Sequence, residues 1–387
     1  MLLCTLFLLA VPLGSGGEDA PMTLALLYGR VIDGNGGDPI ESAVVIVRDA
    51  RIVAAGPVGG ISVPDDAEVL DVRGATILPG FINAHVHHGY DASNLRAWAQ
   101  AGVTTVRDLG TQSRWAERSS GVFEDRDALN ADVQNARLVA AGPIVTTVGG
   151  YGGYAVTSPE DARAKVDGLI DAGADVIKIA IEDDLQGRRW PMLTQEEMMA
   201  IVKTAHARGI RVAAHVSRSE HVRMALEAGV DDVNHMAVDR VSSDLLTRMV
   251  VRGMVWVPTL ELWEGVSHRH GLSWNLWAAS NLRRFVEAGG VVALGTDFDG
   301  YSTPFDLGMP FTEIRLMHEA GMTAMQIIQA ATRNAAVVCG LDDSLGTIEP
   351  GKIADLLVVE GDPLTDLDAV GSVLLVIRDG VVIRDDR

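Results

Sequence analysis

Residues 76–87 read TILPGFINAHVH, an apolar run that ends in two histidines one residue apart. Because successive side chains of a β-strand point to opposite faces, His85 and His87 would lie on one face at the end of a strand. Taken alone, the pair is weak support for a binding site, since polar residues are common at strand ends. The pair becomes meaningful only if other parts of the chain place further metal-binding side chains near it.

Beyond this run, apolar strand-like segments alternate with helical ones, the pattern that forms a parallel sheet. Ser158-Pro159 is typical of a helix start, and Thr194 with Glu197 forms a capping box that begins another helix. A doubly wound sheet would have a glycine-rich loop after its first strand, and none follows residue 87. Eight β/α units therefore predict a closed (β/α)8 TIM barrel. The eight strand-like runs are residues 76–87, 103–108, 138–144, 175–179, 211–216, 232–236, 254–260 and 291–297.

Short β patterns flank the barrel region at both ends of the chain. Examples before it are residues 43–47, and examples after it are residues 373–377, which are followed by the turn sequence Asp379-Gly380. Two distant β clusters predict one small β-sandwich domain built from both chain ends. We therefore expect an α/β fold with the β-sandwich at residues 21–75 and 339–387 and the barrel at residues 76–338.

The N-terminal segment, residues 1–20, contains an apolar stretch from Leu2 to Leu13 followed by small residues. This stretch is too short to span a bilayer but is typical of a signal peptide, although no lysine or arginine precedes it. An apolar N-terminal strand is the alternative, and the lack of alternation disfavours it. We expect a periplasmic or secreted protein with no stable membrane span after cleavage, and a cytoplasmic protein if residues 1–20 are not a signal peptide.

The composition excludes some partners. With 52 acidic and 32 basic side chains, the formal net charge of -20 repels phosphate backbones and anionic lipids, so nucleic acid is not expected as a partner. An apolar fraction of 48% permits a large core. The two cysteines, Cys4 and Cys339, are too few for a disulfide framework. We expect a small-molecule substrate and a homo-oligomeric assembly.

Side chains of metal-ligand type stand near the carboxyl ends of four later runs. Barrel enzymes have their chemistry at these carboxyl ends of the strands. A lysine between isoleucines is ordinarily a surface residue or a paired buried charge, but its coincidence with histidines and an aspartate at equivalent depths favours a shared site. The residues are Lys178, His215, His235 and Asp297.

Lys178 has a physical role in such a site. Burial disfavours the charged form of an amine, so Lys178 would be neutral and able to add carbon dioxide (CO2). The resulting lysine carbamate is a two-oxygen anion that can bridge two cations about 3.5–4 Å apart. Nitrogen and oxygen ligands suit zinc, with manganese, iron or cobalt as alternatives.

The sequence thus predicts a centre with two divalent metal ions. Three of the side chains would bind one ion and two would bind the other, with the carboxylated Lys178 and a hydroxide shared between the ions. The predicted ligands are His85, His87 and Asp297 for the first ion, and His215 and His235 for the second.

Longer segments resemble the amidohydrolase superfamily. They are residues 78–87, residues 174–179, His215, His235, the sequence Gly295-Thr296-Asp297 and the closing GTIEPGKIADL of residues 346–356. Within the superfamily the chain is similar to the imidazolonepropionase-like and Xaa-Pro dipeptidase branch, whose members carry a carboxylated lysine on the fourth strand. The resemblance extends from about residue 25 to the end of the chain and implies a metal-dependent hydrolase with a barrel fold.

Three positions depart from the pattern of this branch. Tyr151 stands in a glycine-rich loop after the third strand where many relatives have a histidine, Ser217 stands where the dipeptidases tend to have a tyrosine, and Glu182 begins an acidic triplet where relatives are often glycine-rich. We expect Tyr151 to donate to an oxyanion or to contact substrate. The alternative is an aromatic side chain that packs on the barrel rim.

Together these observations predict hydrolysis of a C–N amide or peptide bond in a dipeptide, an N-acyl amino acid or a related amide. The metal pair would acidify water and polarise the carbonyl, and Asp297 would take the hydroxide proton and pass it to the leaving amine. Three alternatives remain: a mononuclear cyclic amide hydrolase or deaminase, organophosphate or lactone hydrolysis by the same binuclear site, and a catalytically silent scaffold. A count of bound metal ions separates the first alternative from the binuclear hypothesis.

Overall fold

The structure is a computed structural model that describes residues 23–110, 121–185, 187–299 and 303–387. The expected signal peptide, residues 1–20, lies outside the described residues. Within the described ranges, no helix combines the length and the apolar character that crossing a membrane requires.

Eight strands from both ends of the chain form one hydrogen-bonded sheet, the small β domain. The N-terminal strands meet the C-terminal ones where Leu357 pairs antiparallel with Leu78. Alternate side chains of the sheet, including Leu26, Val45 and Leu375, form an apolar core of their own. The expectation that both chain ends build one β domain is confirmed. The strands are β1 (Thr23–Val31), β2 (Ile40–Arg48), β3 (Arg51–Pro57), β4 (Glu68–Asp71), β5 (Ala75–Pro79), β15 (Leu356–Glu360), β16 (Val373–Arg378) and β17 (Val381–Asp385).

Nine parallel strands lie between the two halves of the β domain, in a sheet of three and a sheet of six. The order of the first sheet is β6-β7-β8 and that of the second is β10-β9-β11-β12-β13-β14. The strands are β6 (Phe81–Val86), β7 (Val103–Asp108), β8 (Arg137–Ala140), β9 (Val145–Thr147), β10 (Tyr154–Val156), β11 (Val176–Ala180), β12 (Arg211–His215), β13 (Asp232–Asn234) and β14 (Val255–Val257).

Backbone hydrogen bonds join these two sheets into a ring. The amide of Asp175, just before β11, donates to the carbonyl of Ala140 on β8 at 3.0 Å. On the other side, residues 291–297 lie between β14 and β6: Ala293 donates to Trp256 at 3.0 Å, and Ala84 donates to Leu294 at 2.8 Å. Eight extended segments form the ring, and β9 and β10 are additional strands beside β11. The predicted fold class, a (β/α)8 barrel with a small β domain, is confirmed. The eight segments are β6, β7, β8, β11, β12, β13, β14 and residues 291–297.

The structure divides the run at residues 76–87 into two strands. Strand β5 pairs with β1 and β15 of the β domain, whereas β6 begins the barrel after Gly80. The expectation of a single strand here is wrong, because an apolar pattern is the same for a strand of either sheet. The domain limits expected from the sequence stay a prediction.

The helices cover the outside of the ring, and two of them begin where the sequence predicts. The hydroxyl of Ser158 accepts from the amide of Asp161 at 3.2 Å. Thr194 and Glu197 cap each other reciprocally, at 3.2 and 2.8 Å, as the capping box requires. The helices are α1 (Ala92–Gln100), α2 (Val122–Asn130), α3 (Pro159–Asp171), α4 (Gln195–Ala207), α5 (Ser219–Ala228), α6 (Ser243–Arg252), α7 (Leu260–His270), α8 (Trp274–Glu287), α9 (Phe311–Glu319), α10 (Ala324–Ala331) and α11 (Arg333–Val338).

A buried ion pair joins opposite strands inside the barrel. Arg107 on β7 donates to both carboxylate oxygens of Asp232 on β13, at 2.8 and 3.1 Å, and neither side chain is exposed. Arg107 also donates to the carbonyl oxygens of Ala84 and Val338 at 2.7 and 2.8 Å, and Asn234 donates to Asp232 at 2.9 Å. Because both charges are paired and hydrogen-bonded, neither is left as an isolated ion in the interior.

Substitution of Arg107 by methionine should reduce the free energy of unfolding by about 3–5 kcal/mol, because it leaves the Asp232 carboxylate buried without its partner. A urea titration followed by circular dichroism measures the change. Arg223→Met is the matched control: its ion pairs with Glu220 and Glu227 lie on the surface of α5, and their loss should cost less than about 1 kcal/mol. Equal destabilisation by the two substitutions would contradict the role assigned to the buried pair.

Candidate metal centre

The six side chains predicted as metal ligands all line one cavity at the carboxyl ends of the barrel segments. Five of them are buried, and His87 is partly exposed. They come from five segments of the ring and still meet, since parallel strands end at the same rim. The residues are His85 at the end of β6 with His87 beyond it, Lys178 on β11, His215 on β12, His235 after β13, and Asp297 after the segment that closes the ring.

Asp297 lies between the first two histidines. Its Oδ1 atom is 3.1 Å from Nε2 of His85 and 3.1 Å from Nε2 of His87. Neither contact has the alignment of a hydrogen bond. Both ring nitrogens of His85 and Oδ1 of Asp297 are therefore buried without a hydrogen-bond partner among the residues that the structure describes. Buried polar atoms are rarely left in this way unless an ion or a ligand completes them.

The second group of side chains adjoins the first. The ring centroid of His235 is 4.9 Å from that of His85 and 4.7 Å from that of His215. Nζ of Lys178 also has no hydrogen-bond partner among the described residues. The structure therefore brings together all six predicted side chains, with unpaired nitrogen and oxygen atoms at their centre.

The electrostatics of this cluster suit cations. Burial lowers the pKa of His85 and of His235 well below the usual value, so both imidazoles are neutral and can donate an electron pair. Burial opposes ionisation of Asp297, but the nearby imidazoles outweigh it and hold its pKa well below the usual value. Burial lowers the pKa of Lys178 to about 7. Neutral imidazoles, an ionised carboxylate and an amine that is readily neutral fit divalent metal ions.

Contacts behind the histidines select which ring nitrogen faces the cluster. His87 donates through Nδ1 to the carbonyl of Gly110, and Nδ1 of His235 forms a 2.9 Å hydrogen bond with the hydroxyl of Thr259. In both rings this leaves Nε2 for a metal ion. Such outer contacts fix the tautomer and orientation of histidine ligands.

Glu182 acts in the same way on His215, with the opposite ring nitrogen. Its Oε2 atom lies 3.3 Å from Nε2 of His215, which leaves Nδ1 free for a metal ion. Its Oε1 atom accepts from the amides of Asp183, Asp184 and Leu185 at 2.9–3.1 Å. Burial raises the pKa of Glu182, but the hydrogen bond and charge of His215 outweigh this and lower it to about 2.

Three residues around the cluster have left-handed backbone conformations that residues other than glycine rarely adopt. The φ angles are 71° at His235, 48° at Thr259 and 63° at Asp297. A β-branched threonine in this region is strained, at a cost of about 1–3 kcal/mol. Such outliers occur mainly where function requires a particular direction of a side chain. Here the turns aim His235 and Asp297 inward from segments that have just ended.

Asn83 and Gly295 explain the close approach of β6 to the closing segment. Asn83 is buried, donates to the hydroxyl of Thr296 at 3.0 Å, and accepts from the amides of Thr296 and His85 at 3.2 and 3.3 Å. A Cβ atom at Gly295 would collide with the side chain of Val257 and lie 2.9 Å from the backbone nitrogen of His85. The glycine therefore lets Asp297 approach the histidines of β6.

The cavity above the cluster has a volume of about 740 Å³. Tyr151 lines it and stacks on His215, with ring centroids 4.6 Å apart and an interplanar angle of 25°. His268 and His270 belong to α7, and His270 lines the cavity. A cavity of this size holds a small organic molecule.

Sequence reasoning did not assign Glu182, Thr259 or Asn83 to the site. Glu182 stood out as a departure from related sequences, but its contact with His215 depends on how residues 181–185 fold. Thr259 gave no signal in the sequence, because it contacts His235 from the next segment of the ring. Asn83 lies within the motif of β6 and could have been suspected from its polar side chain in an apolar strand.

Comparisons with known proteins agree with this geometry. A model of the amidohydrolase family matches residues 76–383. Ochratoxinase from Aspergillus niger is 24% identical over 92% of this chain and 85% of its own length, and imidazolonepropionase from Symbiobacterium thermophilum is 24% identical over 83% and 84%. The crystal structure of a Xaa-Pro dipeptidase with methionine bound in its active site superposes with a TM-score of 0.82, at 27% identity, over 93% of this chain and 99% of that one.

The barrel brings histidines, a lysine and an aspartate together at one rim, and both chain ends form a β domain beside it. This architecture is that of a class of barrel hydrolases. The chain belongs to the amidohydrolase family, because the family match covers most of its length. The resemblance stated from the sequence is confirmed, including the branch with imidazolonepropionase and Xaa-Pro dipeptidase.

Substitution of Glu182 by glutamine should weaken metal binding about 10–100-fold, the usual effect of losing an outer contact of a histidine ligand. Glu182 uses one carboxylate oxygen for His215 and the other for the three amides. Glutamine has only one acceptor oxygen, so it cannot make both sets of contacts. Competition with a chromophoric chelator measures the zinc dissociation constant. Asp184→Asn is the matched control, because Asp184 pairs with Arg218 and contacts none of the six side chains. An unchanged dissociation constant for Glu182→Gln would refute the orienting role.

Proposed function

We propose that the protein hydrolyses a C–N amide or peptide bond in a small substrate, such as a dipeptide, an N-acyl amino acid or a related amide. The observation that carries this proposal is the convergence of unpartnered atoms of His85, Lys178 and Asp297 at the base of a cavity of about 740 Å³. The similarity to a Xaa-Pro dipeptidase supports a substrate about as large as a dipeptide.

Two divalent metal ions, with zinc as the first choice, complete the proposed site. Three of the side chains would hold one ion and two would hold the second ion, and Lys178 would be a further ligand as its carbamate. When bound, the ions polarise the scissile carbonyl and acidify water, so that no protein nucleophile is needed. The assigned ligands are His85, His87 and Asp297 for one ion, and His215 and His235 for the other.

Asp297 has the proposed role of proton carrier. Its carboxylate is ionised and sits at the centre of the cluster, where it can accept a proton from the attacking water and donate it to the leaving amine. Tyr151 has the proposed role of a substrate contact, because its ring stacks on His215 within the cavity. The left-handed backbone at Asp297 holds the carboxylate in place, and asparagine is one of the residues that tolerates this conformation.

Metal-reconstituted protein, prepared with bicarbonate, should hydrolyse members of a panel of dipeptides, N-acyl amino acids and lactams. Asp297→Asn should remain folded and lose turnover by about 10²–10⁴-fold, the usual contribution of a general acid–base group. Release of free amine measures the rate, and elemental analysis shows whether the variant retains metal. Asp299→Asn is the matched control, since Asp299 is exposed and has a similar backbone φ of 59°. An Asp297→Asn variant with most of its rate would refute the proton transfer, and a silent wild-type panel would refute the proposed function.

The carbamate on Lys178 should form more readily as the pH rises through the pKa of the amine, about 7. Only the neutral amine adds CO2, and its fraction increases as the pH goes from 6 to 8. Metal-depleted protein given zinc and ¹³C-labelled CO2, at constant dissolved CO2, should therefore show a stronger ¹³C carbamate resonance and regain more activity at pH 8.

Two variants test this assignment. Lys178→Met should show no carbamate resonance and bind about one metal ion instead of two. Lys203→Met, which changes an exposed lysine of α4, should behave like the wild type. Wild-type protein that binds two ions and turns over without a carbamate resonance would contradict the role of Lys178.

A further inference from the structure

Along one wall of the cavity, a series of aromatic rings extends from the candidate metal ligands to the guanidinium group of Arg188. Tyr151 stacks on His215, and Trp190 meets Tyr151 edge-on at 5.4 Å between centroids. Arg188 follows at the rim, with its guanidinium carbon 5.8 Å from the ring of Trp190. Arg188 is exposed and lines the cavity, and none of the carboxylates in the described ranges forms an ion pair with it. Its charge is therefore available to a ligand.

A second series of rings also lines the cavity. Trp263 meets His235 at 6.0 Å between centroids, and Trp274 meets Trp263 at 5.8 Å, both edge-on. Leu262 and Val266 of α7 line the same side. The buried N–H of Trp263 has no acceptor among the described residues. This wall therefore offers apolar contact and one unused hydrogen-bond donor.

Away from the candidate metal ligands, the charge that lines the cavity is positive. Asp297 is the one aspartate or glutamate among the described residues that line it, and Arg188 is the one arginine. The chain as a whole has a formal net charge of -20, so an anion binds inside only where a local cation holds it. A free ammonium group on the substrate would find no carboxylate partner on these walls.

From these walls we infer that the substrate is an N-acylated amino acid with an aromatic or large apolar group, and that Arg188 is a specificity residue that binds its carboxylate. The inference rests on the proposed function. An acyl group removes the ammonium charge that the walls leave unpaired, and the aromatic series can stack on a ring of the substrate. A guanidinium binds a carboxylate through two parallel hydrogen bonds, and its stacking near Trp190 limits the freedom that binding must remove.

The test compares three substrates on metal-reconstituted enzyme: N-benzoyl-L-phenylalanine, its carboxamide, and the dipeptide L-phenylalanyl-L-phenylalanine. Wild type should prefer the acid over the carboxamide by about 10–100-fold in kcat/KM, the range for a hydrogen-bonded charge. Most of this preference should lie in KM, because the contact is remote from the reacting carbonyl. The acid should also be preferred over the dipeptide.

Two variants locate the preference. Arg188→Met should reduce the ratio of acid to carboxamide to about one, and Arg188→Lys should restore part of it. Arg189→Met is the matched control, because Arg189 is the exposed neighbour and does not line the cavity. In the Asp297→Asn background, calorimetry should show that Arg188→Met weakens binding of the acid and leaves binding of the carboxamide unchanged.

The outcomes separate this inference from the proposed function. If the wild type hydrolyses amides but treats acid and carboxamide alike, or if Arg188→Met keeps the preference, the role of Arg188 is refuted and amide hydrolysis stands. If the dipeptide is the better substrate, the N-acyl assignment is refuted. If no amide in the wider panel is hydrolysed, the proposed function itself fails.

Discussion

Arg107 and Asp232 pair inside the barrel, and the candidate metal cluster depends on this pair. In strand register, Lys178 on β11 aligns with Ala213 on β12, which aligns with Asp232 on β13, so the lysine and the aspartate occupy one level of the barrel. The charge of Asp232 favours the ammonium form of Lys178, and the charge of Arg107 opposes it. Because Arg107 occupies both oxygens of Asp232, the lysine amine is left unpaired and can become neutral by desolvation.

The cluster above this pair contains features that each carry an energetic cost. Atoms of His85, Lys178 and Asp297 are buried without a hydrogen-bond partner in the described part of the chain, and the backbone is left-handed at His235 and Asp297. Unpaired buried polar atoms and strained φ angles persist only where the surrounding structure over-determines them. The ring of parallel segments, the contacts of Asn83 and the missing side chain of Gly295 provide that support. Metal binding would complete the unpaired atoms, so binding and folding are expected to stabilise each other.

Much of the barrel could be predicted because alternating strand and helix patterns are local. The capping box at Thr194 and Glu197 forms as expected, and β7 has the predicted limits. The division at Gly80 could not be predicted, because β5 pairs with β15, a strand that follows only at Leu356, and an apolar run carries no mark of its partner. The closing segment at residues 291–297 bonds to both neighbours without forming a regular ladder, and no periodicity shows this.

The sequence by itself determined the family, the fold class and the six candidate ligands. These depend on residue types at strand ends, and parallel strands of a barrel always end at one rim. The tertiary structure alone decided which contacts orient the candidate ligands, such as Glu182 behind His215 and Thr259 behind His235. It also decided that Arg188 follows Trp190 in the lining of the cavity. These contacts join residues from different loops. Loop conformation follows from packing against the rest of the molecule, and local residue pattern does not encode it.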